Sequence, residues 1–315
     1  MATAPPKTSQ FSHTKHPKTK SNMSQFKTVL VAGGTGGLGA FIVDELVANG
    51  SYTVKILARP SSEANKPAAI EKYKAIGVEV VAADYNDHAA LVKALKGVDV
   101  VTSTVGAEGL SDSQLALIKA SEEAGVKRFI PSEFGSDTNK VKFPLFAHKV
   151  QVADYLRNSN LEYTLFFTGF FTDTLTDFAG WDLKNGKAVI IGTGDEQFTS
   201  THRKDIAKFV VASLSNPKSR NTVHGTASFV STWKDWIAAA EKQLGRKFEV
   251  TYRDLPTVEA ELAATKGITY EFVRDTILSI PAKGFGVIEK EVTIEYPDIK
   301  TITLEEYFQD RYSKA

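Results

Sequence analysis

Thr28-Val-Leu-Val-Ala32 runs directly into Gly33-Gly-Thr-Gly-Gly-Leu-Gly39; an apolar helical pattern follows, and Tyr52-Thr-Val-Lys-Ile-Leu-Ala58 then ends on Arg59. The order is strand, glycine turn, helix, strand, and a basic residue at the second strand's end. A βαβ unit of this kind binds a dinucleotide, because the helix N-terminus offers a pyrophosphate unpaired N–H groups and the positive end of its dipole. In that role Gly33 lets the chain turn, Gly36 removes a Cβ from between backbone and phosphate, and Gly39 lets helix pack on strand. Thr35, Gly37 and Leu38 complete the phosphate-facing turn. The spacing is G-x-x-G-x-x-G rather than G-x-G-x-x-G.

The end of the second strand decides which dinucleotide is expected. An acid there accepts bonds from the ribose 2′-hydroxyl of NAD, whereas Arg pairs with the 2′-phosphate of NADP. No acid lies between Tyr52 and Ser62, Arg59 stands at the strand end, and Lys66 follows in the next loop. A guanidinium fork holds a phosphate bidentately, so NADPH is the expected cofactor.

Beyond this unit, strand-like runs alternate with helices of about a dozen residues. Val78 to Ala82, Val98 to Ser103, Arg128 to Pro131 and Leu161 to Phe167 read as strands. Lys66 to Ile76, Asp87 to Leu95, Ser111 to Ala124 and Phe143 to Asn158 read as helices. The pattern predicts an α/β fold, a doubly wound parallel sheet of Rossmann type with right-handed crossovers. Ligands then gather at the carboxyl ends of the strands, where the glycine turn, Ser103–Gly106 with Thr104, and Ser132–Gly135 all fall. Three parts are expected: a disordered basic tail over 1–27, a dinucleotide-binding domain over 28–170, and a smaller α+β substrate-binding region over 171–315, packed on the second as one unit. Within the last part, Gly192-Thr-Gly194 reads as a turn between strands, and Lys204 to Leu214 and Trp233 to Leu244 as helices.

Composition bounds the function. The first 27 residues carry five lysines and no acid; without them 33 basic residues face 37 acidic ones, a body charge of −4. Such a tail buries too little apolar surface to offset its ordering entropy. It lacks the arginines of a mitochondrial presequence and the apolar core of a secretory signal. Met23 offers an alternative start just ahead of the first strand. The acidic body argues against nucleic acid as a partner, and no apolar run is long enough to span a bilayer. Cysteine is absent, which excludes disulfides and cysteine-bound metal and suits a cytoplasmic location. The histidines His148, His202 and His224 have no metal-ligand spacing. Monomer and homodimer fit the sequence equally well.

Lys149 lies inside the helix that follows Ser132–Gly135, with Leu145 four residues before it. In ordinary short-chain dehydrogenases a Tyr occupies that earlier position. A lone ammonium can still stabilise or protonate an oxygen that gains charge during hydride transfer, although a single helix lysine is more often a solvated surface group. Context raises its standing. Gly33–Gly39, Leu57-Ala-Arg59-Pro, Ala83-Asp-Tyr, Val98–Gly106 and Gly125-Val-Lys-Arg-Phe-Ile-Pro-Ser-Glu-Phe-Gly135 together resemble the NmrA-like, isoflavone reductase-like branch of the atypical short-chain dehydrogenases. The likeness runs from about Phe26 to Phe171 and then fades to Phe198–Leu214.

That resemblance implies NADPH across the glycine turn with Arg59 and Lys66 at its 2′-phosphate. It also implies Lys149 as the catalytic lysine and a C-terminal region that receives a small aromatic or polyphenolic substrate. Plant reductases of this branch commonly carry Arg four residues after the lysine; here Ala153 stands there, one implied cofactor contact fewer. The branch also contains redox-sensing regulators that bind NAD(P) without turnover, and Lys149 with the Ser132–Gly135 loop favours the reductase. Phe166, Phe167, Phe170, Phe171 and Phe178 read mainly as packing, with Phe170 or Phe171 placed to touch a nicotinamide or substrate ring. Trp181, Trp233 and Trp236 read as packing under helices.

Overall fold

The computed structural model describes residues 26–60, 66–106 and 110–312. The first 25 residues of the expected disordered tail lie outside them. Phe26, counted with that tail, is buried among residues of the first core and lies beneath the Arg128 guanidinium at 4.9 Å.

Seven parallel strands form the main sheet: β1 (Thr28–Ala32), β2 (Thr53–Ala58), β3 (Glu79–Ala82), β4 (Val100–Ser103), β5 (Arg128–Ile130), β6 (Glu162–Phe167) and β10 (Thr222–Gly225), in the spatial order β10-β6-β5-β4-β1-β2-β3. The order reverses between β1 and β4, which pair with Ala32 opposite Ser103. The expected doubly wound sheet is therefore present, and its topological switch point lies where the glycine turn leaves β1.

Alternation along β1 feeds two cores, because successive strand side chains point to opposite faces. Val29 and Val31 pack with α1 (Gly37–Asn49) and with the helix Arg203–Ser213, against Ile42, Leu46, Ile206 and Val210. Leu30 and Ala32 face the helices His88–Leu95, Leu110–Ala124 and Ala147–Arg157, through Leu91, Leu117 and Leu156. A third core holds Trp181, Trp233 and Trp236 with Phe198 and Phe308, under two small sheets. One combines β7 (Phe170–Phe171), β9 (Gln197–Thr201) and β11 (Phe229–Thr232); the other pairs β8 (Lys187–Ile191) with β12 (Glu249–Arg253). Gly192 and Gly194 turn between β8 and β9 with φ of 99° and 83°.

The chain after residue 171 is interleaved with the first part. Arg203–Ser213 and β10 return to the main sheet, and β10 pairs with β6 along Thr222–Gly225. The sequence gives little sign of this strand, since it is four residues long and starts after Asn221, whose φ is +52°. Among the described residues no helix is long and apolar enough to cross a membrane.

His224 on β10 is fully buried; its ring stacks on Tyr296 at 5.4 Å, and its Nε2 lies 3.2 Å from the tyrosine oxygen. Burial pushes its pKa from 6.5 to about 4. Between those values the unfolded chain takes up a proton that the folded chain refuses. The stabilisation is complete above pH 6.5 and is lost as pH falls toward 4, about 3 kcal/mol in all. Urea unfolding of wild type and His224→Leu across that range should show the wild type losing more stability by this amount. Parallel pH dependences would contradict the assignment.

Candidate active site

Two cavities open at the carboxyl ends of the main strands. The first, of about 320 Å³, is lined by Gly33, Thr35, Gly36, Arg59, Lys66, Tyr85 and the segment Thr104–Gly106. The glycines are there for want of space. Gly33 has φ +82°, and a Cβ on it would lie 2.8 Å from Thr104 Oγ1. A Cβ on Gly39 would overlap the Gly33 carbonyl, and one on Gly37 would overlap the Arg203 guanidinium. Arg203 is anchored there by Asp173, whose Oδ2 accepts from its Nε at 2.7 Å. Leu38 is buried behind the turn.

The start of α1 has Gly36 as its N-cap, with no capping side chain and no acid in the first turn. The helices beginning at His88, Trp233, Leu255 and Tyr270 are instead capped by the side chains of Asp87, Thr232, Asp254 and Thr269. Helix starts normally find a side-chain partner; those at Pro67 and Ala147 lack one as well, and an open start beside the Cβ-free turn suits an anion. Arg59 is exposed at the end of β2 and makes no ion pair among the described residues, and Lys66 Nζ donates to the Thr35 carbonyl at 3.3 Å. Six of the nine residues expected to hold the cofactor thus line one cavity, with Gly37, Leu38 and Gly39 forming its support. The chemistry fits a phosphorylated dinucleotide: open N–H groups, a Cβ-free approach and two cations.

Tyr85 was not legible as part of this cavity. Its phenol is pushed up to about 12 by burial, against the opposing charge of Arg59. Asp84, beside it, neither caps the helix nor lines the cavity; it accepts from Asn86 N in a local turn, and Asp87 is the cap.

The second cavity, of about 470 Å³, holds Lys149. Phe134, Phe146, Phe170, Phe171, Phe178, Tyr270 and Ile277 supply its apolar wall, with Ser136, Thr174 and Asp177 also on the lining. Phe170 and Phe171 are therefore both at the site, whereas Phe166 and Phe167 are buried core. Phe134, Phe146 and the pair Tyr270 and Ile277, two turns apart on the helix Tyr270–Leu278, come from separate stretches of the chain.

Each residue of Ser132-Glu-Phe-Gly135 has a task here. Ser132 Oγ donates to the Val105 carbonyl at 3.0 Å, tying this loop to the rim of the first cavity. The Glu133 carbonyl accepts a close hydrogen bond from Lys149 Nζ. Phe134 stacks on Phe166 at 5.8 Å. A Cβ on Gly135 would stand 3.3 Å from Lys149 Nζ, so the glycine leaves room for the ammonium. Burial holds Lys149 below its ordinary pKa, with the Glu133 charge opposing. His148 feels it in turn, lowered by its own burial and then by the Lys149 charge.

The helix expected over Phe143 to Asn158 is broken. Pro144–Phe146 is a 3₁₀ turn, and the α-helix begins at Ala147, so Leu145 and Lys149 do not share one helix face. Pro144 suits the first position of such a turn, because its missing N–H has no partner to lose there. Ala153 is buried in the second core, away from both cavities' linings.

A sequence profile of the NmrA-like family matches residues 25–308. The chain belongs to the NmrA-like family. Phenylcoumaran benzylic ether reductase Betv6 of Betula pendula is 32% identical over 310 residues, covering 91% of this chain and 99% of its own. Eugenol synthase 1 of Petunia hybrida is 33% identical, covering 90% and 98%. The solved structure of AtPrR2 with NADP+ and (+)pinoresinol superimposes with a TM-score of 0.78 at 26% identity, over 91% of this chain and 99% of that one. The NmrA-like fold therefore extends through the C-terminal part, where the resemblance read from sequence had faded to Phe198–Leu214.

Proposed function

We propose that this chain, an NADPH-dependent oxidoreductase of the NmrA-like family, reduces a small aromatic or conjugated substrate in the second cavity, with Lys149 as acid–base. The observation that carries the reading is one lysine ammonium inside an aromatic-walled cavity, bonded to the Ser132–Gly135 loop, which Ser132 ties to the rim of a cleft suited to phosphates. The related proteins agree in kind: a phenylcoumaran benzylic ether reductase, and a structure with NADP+ and (+)pinoresinol.

NADPH, when bound, supplies a hydride. Gly33, Thr35, Gly36, Gly37, Leu38 and Gly39 would cradle its pyrophosphate, Arg59 and Lys66 its 2′-phosphate, and Thr104 the passage toward the second cavity. The aromatic wall holds a planar substrate by apolar burial and ring contacts, and it excludes water from the reacting carbon. Lys149 presents a donor N–H to the oxygen on which charge develops and gives up its proton there; burial makes that transfer easier by disfavouring the charged ammonium. Residues from about Phe170 onward complete the substrate region.

Purified protein should consume NADPH on addition of one or more members of a panel of aromatic enones, benzylic ethers and quinone methides, releasing the reduced product. Stoichiometric NADPH binding with no consumption across the panel would overturn the reading in favour of a cofactor-sensing regulator.

A further inference from the structure

Glu133 is 1% exposed, and a buried carboxylate is costly unless charge and hydrogen bonds compensate. Thr138 Oγ1 donates to its Oε1 at 2.8 Å. Burial pushes its carboxyl up; Lys149 is the largest opposing influence, followed by the Thr138 bond and Arg157, while Asp137 adds to the rise. A purely structural residue at the end of β5 would be served as well by an uncharged amide of the same shape.

Lys149 has the converse difficulty. Its ammonium faces an apolar cavity, and Lys149 is the third residue of its helix, at the positive end of the helix dipole. The neighbouring His148 is shifted below its ordinary pKa, first by burial and then by the Lys149 charge. What opposes the loss of charge is the Phe146 ring, 5.8 Å from Nζ, and Glu133, which supplies both the carbonyl that Nζ bonds and the negative charge acting on it.

We propose that Glu133 is the positioning residue of Lys149: its carbonyl aims the ammonium into the cavity, and its enclosed carboxylate is the counter-charge that favours the protonated amine. The inference rests on the reading of Lys149 as the acid–base. In the reaction Lys149 would pass one proton to the substrate oxygen and regain it from bulk water.

The test needs no substrate. The rate at which acetic anhydride acylates Lys149, followed by mass spectrometry of the peptide that contains it, reports the fraction of neutral amine at each pH. Glu133→Gln keeps the shape and the acceptor for Thr138 but removes the charge. Its labelling midpoint should fall by about one pH unit or more, so that Lys149 labels roughly tenfold faster at a pH below both midpoints. Glu133→Asp should restore much of the wild-type midpoint. A Glu133→Gln curve that superimposes on wild type would overturn the proposal. Should that variant fail to fold, Thr138→Val removes the hydrogen bond that favours the ionised carboxyl, so that Glu133 takes up a proton more readily and its counter-charge weakens. A smaller shift in the same direction supports the proposal, and an unmoved midpoint overturns it. The reading of Lys149 fails separately, if Lys149→Met turns over like wild type while the labelling shift stands.

Discussion

Lys149→Met is expected to lower the rate of NADPH-dependent reduction by roughly 10²–10⁴, the usual loss when a positioned acid–base group is removed. Its affinity for NADPH should stay close to that of wild type. Methionine keeps the length and apolar stem of the lysine, so the aromatic wall and the Gly135 gap are filled much as before. Lys149 does not line the first cavity, which is why binding and turnover should separate. Lys149→Arg is a sharper companion: it restores the charge but holds its proton too tightly to give it up, and it should remain slow. Isothermal titration with NADPH beside steady-state kinetics checks both variants. Unchanged kcat in Lys149→Met would end the assignment of this residue.

The second large effect is expected at Arg59. A hydrogen bond to a charged group contributes about 1.5–3 kcal/mol, and every 1.4 kcal/mol is roughly tenfold in affinity. Arg59→Asp removes the cation and sets a carboxylate beside the 2′-phosphate. NADPH affinity should therefore fall by roughly 10²-fold, while NADH, which has no 2′-phosphate, should bind as well as before or better. Arg59 is exposed and unpaired with any acid among the described residues, so the variant should fold normally. Equal losses for the two dinucleotides would show that Arg59 does not read the 2′-phosphate.

Much of the fold was legible because it is written in short-range pattern. The short apolar run Thr28–Ala32 and the glycine spacing after it mark a strand, a turn and a helix start with no help from distant residues. The successive strand–helix units then impose the sheet. Where the reading failed, the deciding interactions were tertiary or concerned a single bond. Thr222–Gly225 is a strand because β6 offers an open parallel edge, not because of its own residues. Pro144 opens a 3₁₀ turn and the α-helix starts only at Ala147, a boundary through which the apolar periodicity runs unchanged. Phe26 looks like tail and is core, because Arg128 and the first core close over it.

The candidate site divides in the same way. Its backbone cradle was legible, since glycines have few other uses in such numbers at such spacing. The lysine was visible only in the company of Ser132–Gly135, and the task of Glu133 only once its carbonyl and the Lys149 ammonium are seen together. Tyr85 reaches the first cavity from the segment after β3, and Tyr270 and Ile277 reach the second from one helix, Tyr270–Leu278, so each is brought to its site only by the fold. The Arg203 guanidinium fills the space beside Gly37, a neighbour more than 160 positions away that no local pattern announces.

The most direct test is a single-turnover experiment with NADPH deuterated at the nicotinamide C4 position and an aromatic substrate that the panel identifies. Wild type is predicted to pass the label to a carbon of the product, and Lys149→Met to bind the same NADPH while passing almost none. Label that stays on the nicotinamide with wild type, or that moves equally fast without the lysine, would contradict the account.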